Sequence, residues 1–121
     1  MDRVARVLVL LVDDEPLIRL VAADGLEDAG YDVVEAASAS EALKILQTRG
    51  DVGVLFTDVN MPGDLDGLGL AGLVHDRWPN IKLVVTSGRP LAGHVPDDGR
   101  FLTKPYTAEQ MTACLRAARG T

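Results

Sequence analysis

Apolar positions along this chain follow two alternating rhythms. Short runs rich in Val, Leu, Ile and aromatic residues cover 4–12, 31–35, 52–56, 81–85 and 101–103, and each ends in polar or turn-forming residues. Apolar runs of this length bounded by turn signals predict strands of a largely buried parallel sheet. Between them, apolar residues recur at helical spacing: Ile18, Val21, Ala22 and Gly25; then Ala42, Ile45 and Leu46; then Leu70, Ala71 and Val74; finally Met111, Cys114, Leu115 and Ala118. Each set predicts a helix with one inward face. Asp13-Asp14-Glu15-Pro16 closes the first strand and opens a helix, because acids suit a helix's first turn and Pro its first position. Ser38 with Glu41, and Thr107 with Gln110, are capping boxes.

Strands alternating with helices predict an α/β fold with a doubly wound five-stranded parallel sheet, covered on both faces. Five strands at this length fit the order 2-1-3-4-5 with right-handed crossovers. One stretch is irregular. Residues 89–100 carry Pro90 and Pro96, and Pro inside a helix costs about 3 kcal/mol. A shortened or irregular helix is therefore expected between the fourth and fifth strands.

With 121 residues, 47% of them hydrophobic, residues 1–121 are expected to form one domain around a single core. The formal net charge of −6, from 12 basic and 18 acidic residues, argues against direct nucleic-acid binding, which needs clustered Lys and Arg. A lone cysteine, Cys114, cannot form an internal disulfide, which suits a cytoplasmic protein, and its helical stripe marks it as a core residue. Arg3 and Arg6 before the first apolar run imitate a signal peptide, but the run is too short and ends in acids. No stretch approaches the roughly 20 apolar residues of a membrane helix.

The candidate chemistry lies at one edge of the sheet. In the order 2-1-3-4-5, the carboxyl ends of the first, third, fourth and fifth strands carry Asp13 and Asp14, Asp58, Thr86 and Lys104. Open α/β sheets bind ligands at that edge. Clustered carboxylates repel by about 4 kcal/mol per pair at about 4 Å, and a divalent cation relieves the repulsion. Oxygen donors with no His or Cys nearby favour Mg²⁺. A hydroxyl and an ammonium opposite the metal would hold the remaining oxygens of a phosphoryl group. The set fits metal-assisted phosphoryl chemistry with a carboxylate as nucleophile.

Val-Asp-Asp-Glu-Pro (12–16), Thr-Asp-Val-Asn-Met-Pro-Gly (57–63), Asp-Gly-Leu (66–68), Thr-Ser-Gly (86–88) and Lys-Pro-Tyr (104–106) together resemble the receiver domain of bacterial two-component response regulators. The resemblance spans essentially the whole chain and implies a flavodoxin-like receiver fold. It implies that Asp58 accepts a phosphoryl group from a histidine kinase or histidine phosphotransfer protein. Asp14 would bind Mg²⁺ directly, Asp13 through water, and Asn60 through its main-chain carbonyl, with Asp58 completing the set. Lys104 would pair with the acyl phosphate and Thr86 would be the switch hydroxyl. Phe101 takes the place of a switch aromatic that is more often Tyr. The added charge of a phosphoryl group would draw Thr86 and Lys104 inward and shift the population of two packings. The module would then change its contacts with a downstream protein target, as a monomer or weak dimer, catalysing only its own phosphorylation and dephosphorylation.

Two features depart from the family's pattern. The loop between Met61-Pro62-Gly63 and Asp66-Gly67 has one extra residue, and the short 89–100 segment weakens any inference of dimerisation through that face. Other motifs read as decoys. Gly67-Leu-Gly-Leu-Ala-Gly72 matches a dinucleotide fingerprint, but lies inside an expected helix nine residues beyond Asp58. His75 and His94 lack partners at metal-ligand spacing and are expected to be solvated. Three rivals are a metal-dependent phosphatase, a flavodoxin-like electron carrier and a pseudo-receiver acting only as an interaction module. Asp13-Asp14-Glu15 disfavours the electron carrier, which needs a phosphate loop after the first strand. From its ends the chain reads as a stand-alone receiver or one cut from a longer regulator or hybrid kinase, with the former favoured.

Overall fold

The computed structural model describes residues 6–89 and 99–119. In chain order the elements are β1 (Leu8–Val12), α1 (Pro16–Asp28), β2 (Asp32–Ala36), α2 (Ala39–Thr48), β3 (Val52–Asp58), α3 (Gly67–Arg77), β4 (Lys82–Ser87), β5 (Arg100–Thr103) and α4 (Ala108–Arg119). The strands form one parallel sheet in the order β2-β1-β3-β4-β5. The doubly wound expectation holds. The helix expected between the fourth and fifth strands falls largely on residues 90–98, which lie outside the described residues, as does His94.

Burial follows strand position. Every residue of β1 is buried, whereas the edge strands β2 and β5 are largely half-buried or exposed. Successive side chains of β1 leave on opposite faces, as the strand repeat of two requires. Leu8, Leu10 and Val12 pack with Leu46, Leu70 and Val74 on one face. Val9 and Leu11 pack with Leu26, Met111 and Leu115 on the other. Burying each such side chain contributes roughly 1.5–3 kcal/mol, so the central strands anchor both layers.

The helix starts follow their sequence signals. Pro16 opens α1. At α4, the Gln110 N–H donates to Thr107 Oγ1 at 3.0 Å and the Thr107 N–H donates to Gln110 Oε1 at 2.9 Å, a complete box. At α2, the Glu41 N–H donates to Ser38 Oγ, but Glu41 Oε1 accepts from Ala37 instead of the cap residue. The third helix begins at Gly67, because Asp66 caps it by accepting from the Gly69 N–H at 2.8 Å.

Two expectations are corrected. Val21, placed on the inner face of α1 by its spacing, is exposed; Ala22 is buried as expected, and Ala23 and Leu26 complete that face. The helix carries apolar residues around much of its circumference, so periodicity alone misjudges its rotation by about one residue. His75 is half-buried rather than solvated. Among the described residues, no helix is long and apolar enough to cross a membrane.

Candidate functional site

The carboxyl ends of β1, β3, β4 and β5 meet at one edge of the sheet. Asp13 follows β1 directly, Asp58 ends β3, Thr86 pairs with Asp58 across the β3–β4 ladder, and Lys104 follows β5. Asp13, Asp14 and Asp58 each offer a carboxylate oxygen, all within 4.8 Å of one another. Asp13 and Asp58 are buried, and Asp14 is half-buried. Lys104 Nζ lies 3.4 Å from Asp13 Oδ2 and 3.3 Å from Asp58 Oδ2, bridging two of the acids. Four strand ends distant in sequence thus bring together the residues that the pattern singled out.

Backbone contacts hold the acids in place. The Asp13 N–H donates to the Ala36 carbonyl at 3.1 Å, and Asp13 Oδ1 accepts from the Glu15 N–H at 2.9 Å. Arg19 Nη1 donates to the Asp13 carbonyl at 2.7 Å, while its Nε meets Glu35 Oε1 at 3.0 Å. The Val59 N–H donates to the Thr86 carbonyl at 2.9 Å, tying the end of β3 to β4. The Gly67 N–H donates to the Val59 carbonyl at 3.0 Å, and a Cβ at position 67 would collide with the Asp58 carbonyl. Only glycine allows α3 to start so close to the end of β3.

Electrostatics at Asp58 are mixed. Burial raises its pKa above the ordinary carboxylate value; the Lys104 charge pulls it down, and the Asp13 charge pushes it up again. Hydrogen bonds from Lys104 and the Asn60 main chain also lower it, but the balance stays raised. Three further side chains mark the surroundings. Tyr106 packs edge-on against Phe56 at 6.0 Å, and its phenol is pushed up to about 12 by burial, then by the charges of Asp13 and Asp58. Ser87 Oγ accepts from Asn60 Nδ2 at 3.5 Å and from the Arg89 N–H at 3.1 Å. Phe101 is half-buried against the core.

Sequence reasoning missed the roles of Arg19, Ser87 and Gly67. Ser87 and Gly67 stood within quoted motifs, and Gly67 began the decoy fingerprint. Nothing local marks Arg19, because its partners arrive from β2 and from the turn after β1. Between α1 and the turn after β5 lies a mostly apolar groove of about 610 Å³, lined by Leu17, Val21, Lys104, Tyr106 and Met111 among others. Leu17, Leu20 and Val21 are 77%, 60% and 72% exposed on that helix.

The family description "response regulator receiver domain" matches residues 9–116. The chain is 36% identical over 114 residues to the sensor kinase CckA of Brucella abortus (strain 2308), covering 89% of this chain and 12% of that protein. It is 33% identical over 115 residues to the C4-dicarboxylate transport transcriptional regulatory protein DctD of Rhizobium meliloti (strain 1021), covering 91% of this chain and 25% of that one. It therefore spans a quarter or less of these relatives. A response regulator receiver protein from Sinorhizobium medicae WSM419 superposes with a TM-score of 0.87 at 28% identity over 96% of both chains. Sheet order, acidic edge and these likenesses agree, and the chain belongs to the response regulator receiver domain family. It is a receiver domain of two-component signal transduction.

Proposed function

We propose that Asp58 is the phosphoacceptor and takes its phosphoryl group from a phosphohistidine on a histidine kinase or histidine phosphotransfer protein. The observation that carries this reading is the buried Asp58 carboxylate, grouped with Asp13 and Asp14 and bridged by Lys104. One Asp58 oxygen attacks phosphorus, the P–N bond breaks, and its electron pair stays with the imidazole. Attack of water on phosphorus later releases inorganic phosphate and restores the carboxylate. The module catalyses only these two steps on itself.

The three carboxylates fit a hard divalent cation, because all three offer oxygen within a span that one ion can bridge. Asp14 and Asp58, with Asp13 through water and the Asn60 main-chain carbonyl, would hold Mg²⁺. When bound, Mg²⁺ neutralises the carboxylates and polarises phosphoryl oxygens. Lys104, already 3.3 Å from Asp58, is placed to pair with the acyl phosphate. Thr86, beside Asp58 in the ladder, supplies the switch hydroxyl, and Phe101 responds from β5. Phosphorylation biases two packings of these residues and alters contact with a downstream protein target.

The exposed apolar residues of α1 support docking of the phosphodonor protein beside Lys104. Relatives named as a sensor kinase and as a transcriptional regulator support a place in either kind of longer protein. We read this receiver as cytoplasmic and as a monomer or weak dimer. The test is intact mass after incubation with Mg²⁺ and acetyl phosphate. The expected result is a gain of one phosphoryl group, abolished by EDTA and by Asp58→Asn. No gain in the wild type would leave a pseudo-receiver that acts only through protein contacts.

A further inference from the structure

We infer that Arg19 is a positioning residue for the acidic site: anchored by Glu35, it fixes the Asp13 carbonyl and so sets how tightly the Asp13–Asp14 turn binds a divalent cation. The inference rests on the metal-site reading above. Arg19 begins one full turn into α1 and reaches back across the turn it follows. Its side chain is 19% exposed, while that of Glu35, at the end of β2, is 42% exposed. One guanidinium therefore spans two elements, with Nη1 on the Asp13 carbonyl at 2.7 Å and Nε on Glu35 at 3.0 Å.

The consequence falls on Asp14. Both Asp13 oxygens already accept hydrogen bonds, from Glu15 and Lys104, and its N–H is held by Ala36. The Asp14 carboxylate, by contrast, makes no hydrogen bond or ion pair among the described residues. With no partner of its own among them, that side chain takes its position from the backbone that carries it, and the oxygen of the peptide just before it is the one Arg19 holds. An exposed Arg–Glu pair alone would contribute little. A part-buried, charge-assisted bond to a carbonyl is stronger and fixes orientation. Lysine offers a single ammonium where arginine offers a rigid fork, so it cannot reproduce both contacts with the same geometry.

The experiment compares wild type, Arg19→Gln, Arg19→Lys and Glu35→Gln by calorimetric titration with Mg²⁺. Hydrogen exchange of residues 12–16 is followed without metal. Removing an outer partner of a metal site commonly weakens metal binding by about tenfold or more. Arg19→Gln is expected to weaken Mg²⁺ binding by about tenfold and to speed exchange at Asp14 and Glu15. Arg19→Lys and Glu35→Gln should give smaller changes of the same sign. Acetyl phosphate labelling of the Arg19 variants should recover at saturating Mg²⁺. A folded Glu35→Gln or Arg19→Gln protein with wild-type Mg²⁺ affinity would overturn the inference, leaving Arg19 as a pin between α1 and β2. Wild type that binds no Mg²⁺ and takes no phosphoryl group would overturn the site reading and this inference together.

Discussion

The acidic edge is flanked by two regions of opposite character. Beside β3, backbone closes on backbone: Gly67 bonds to Val59 and leaves no room for a Cβ against the Asp58 carbonyl. Beside β1, α1 leaves Leu17, Leu20 and Val21 in solvent, and Leu17 and Val21 line a groove of about 610 Å³ that reaches Lys104. The closed flank sets the position of Asp58. The open flank costs the chain apolar exposure, a feature that marks interaction surfaces when residues cluster.

The largest effect is expected at Gly67. Gly67→Ala should destabilise the domain by about 1–3 kcal/mol through overpacking, read by urea unfolding, and should cut labelling by acetyl phosphate. Wild-type stability in that variant would mean the closed flank has slack. Asp58→Asn should raise the metal-free melting temperature by a few degrees at neutral pH, because burial makes the ionised carboxylate unfavourable. The sign follows from the raised folded pKa. The penalty is absent below the unfolded value of 3.8 and is complete once pH has risen through the folded value. The advantage of the variant should therefore vanish as pH falls toward 3.8, and Mg²⁺ should stabilise wild type more than the variant. Equal Mg²⁺ shifts in both would contradict the metal site. The smallest effect on the fold is expected on the open flank. Leu17→Ser with Val21→Ser should change stability by no more than about 0.5 kcal/mol per site. Labelling by acetyl phosphate should persist, while transfer from a phosphohistidine protein should slow by about tenfold or more. Unchanged protein-to-protein transfer would remove the groove from the docking surface.

The two flanks also differ in how well they could be read from the chain. Asp66-Gly67 was visible as a motif, yet the reason for the glycine was not, because the clash partner lies nine residues earlier on a strand end. Hydrophobic spacing placed Val21 inward, although the tertiary contacts turn it outward. An apolar residue on a helix scores alike whether it fills a core or waits for a partner. Local signals were more dependable at α4, where Thr107 and Gln110 bond within four residues of chain.

The alternation of strands and helices, the sheet order and the four strand ends that carry Asp13, Asp14, Asp58, Thr86 and Lys104 were legible in the amino-acid pattern. The alternation and the strand ends depend on local periodicity and capping, written within a few residues, and the order follows from the number of strands and right-handed crossovers. Folding in three dimensions was needed to show that Lys104 bridges Asp13 and Asp58, that Arg19 reaches back to the Asp13 carbonyl, and that α1 turns Val21 outward. Such contacts join residues whose separation along the chain carries no information about their distance in space. They are set by how the helices rotate and seat against the finished sheet.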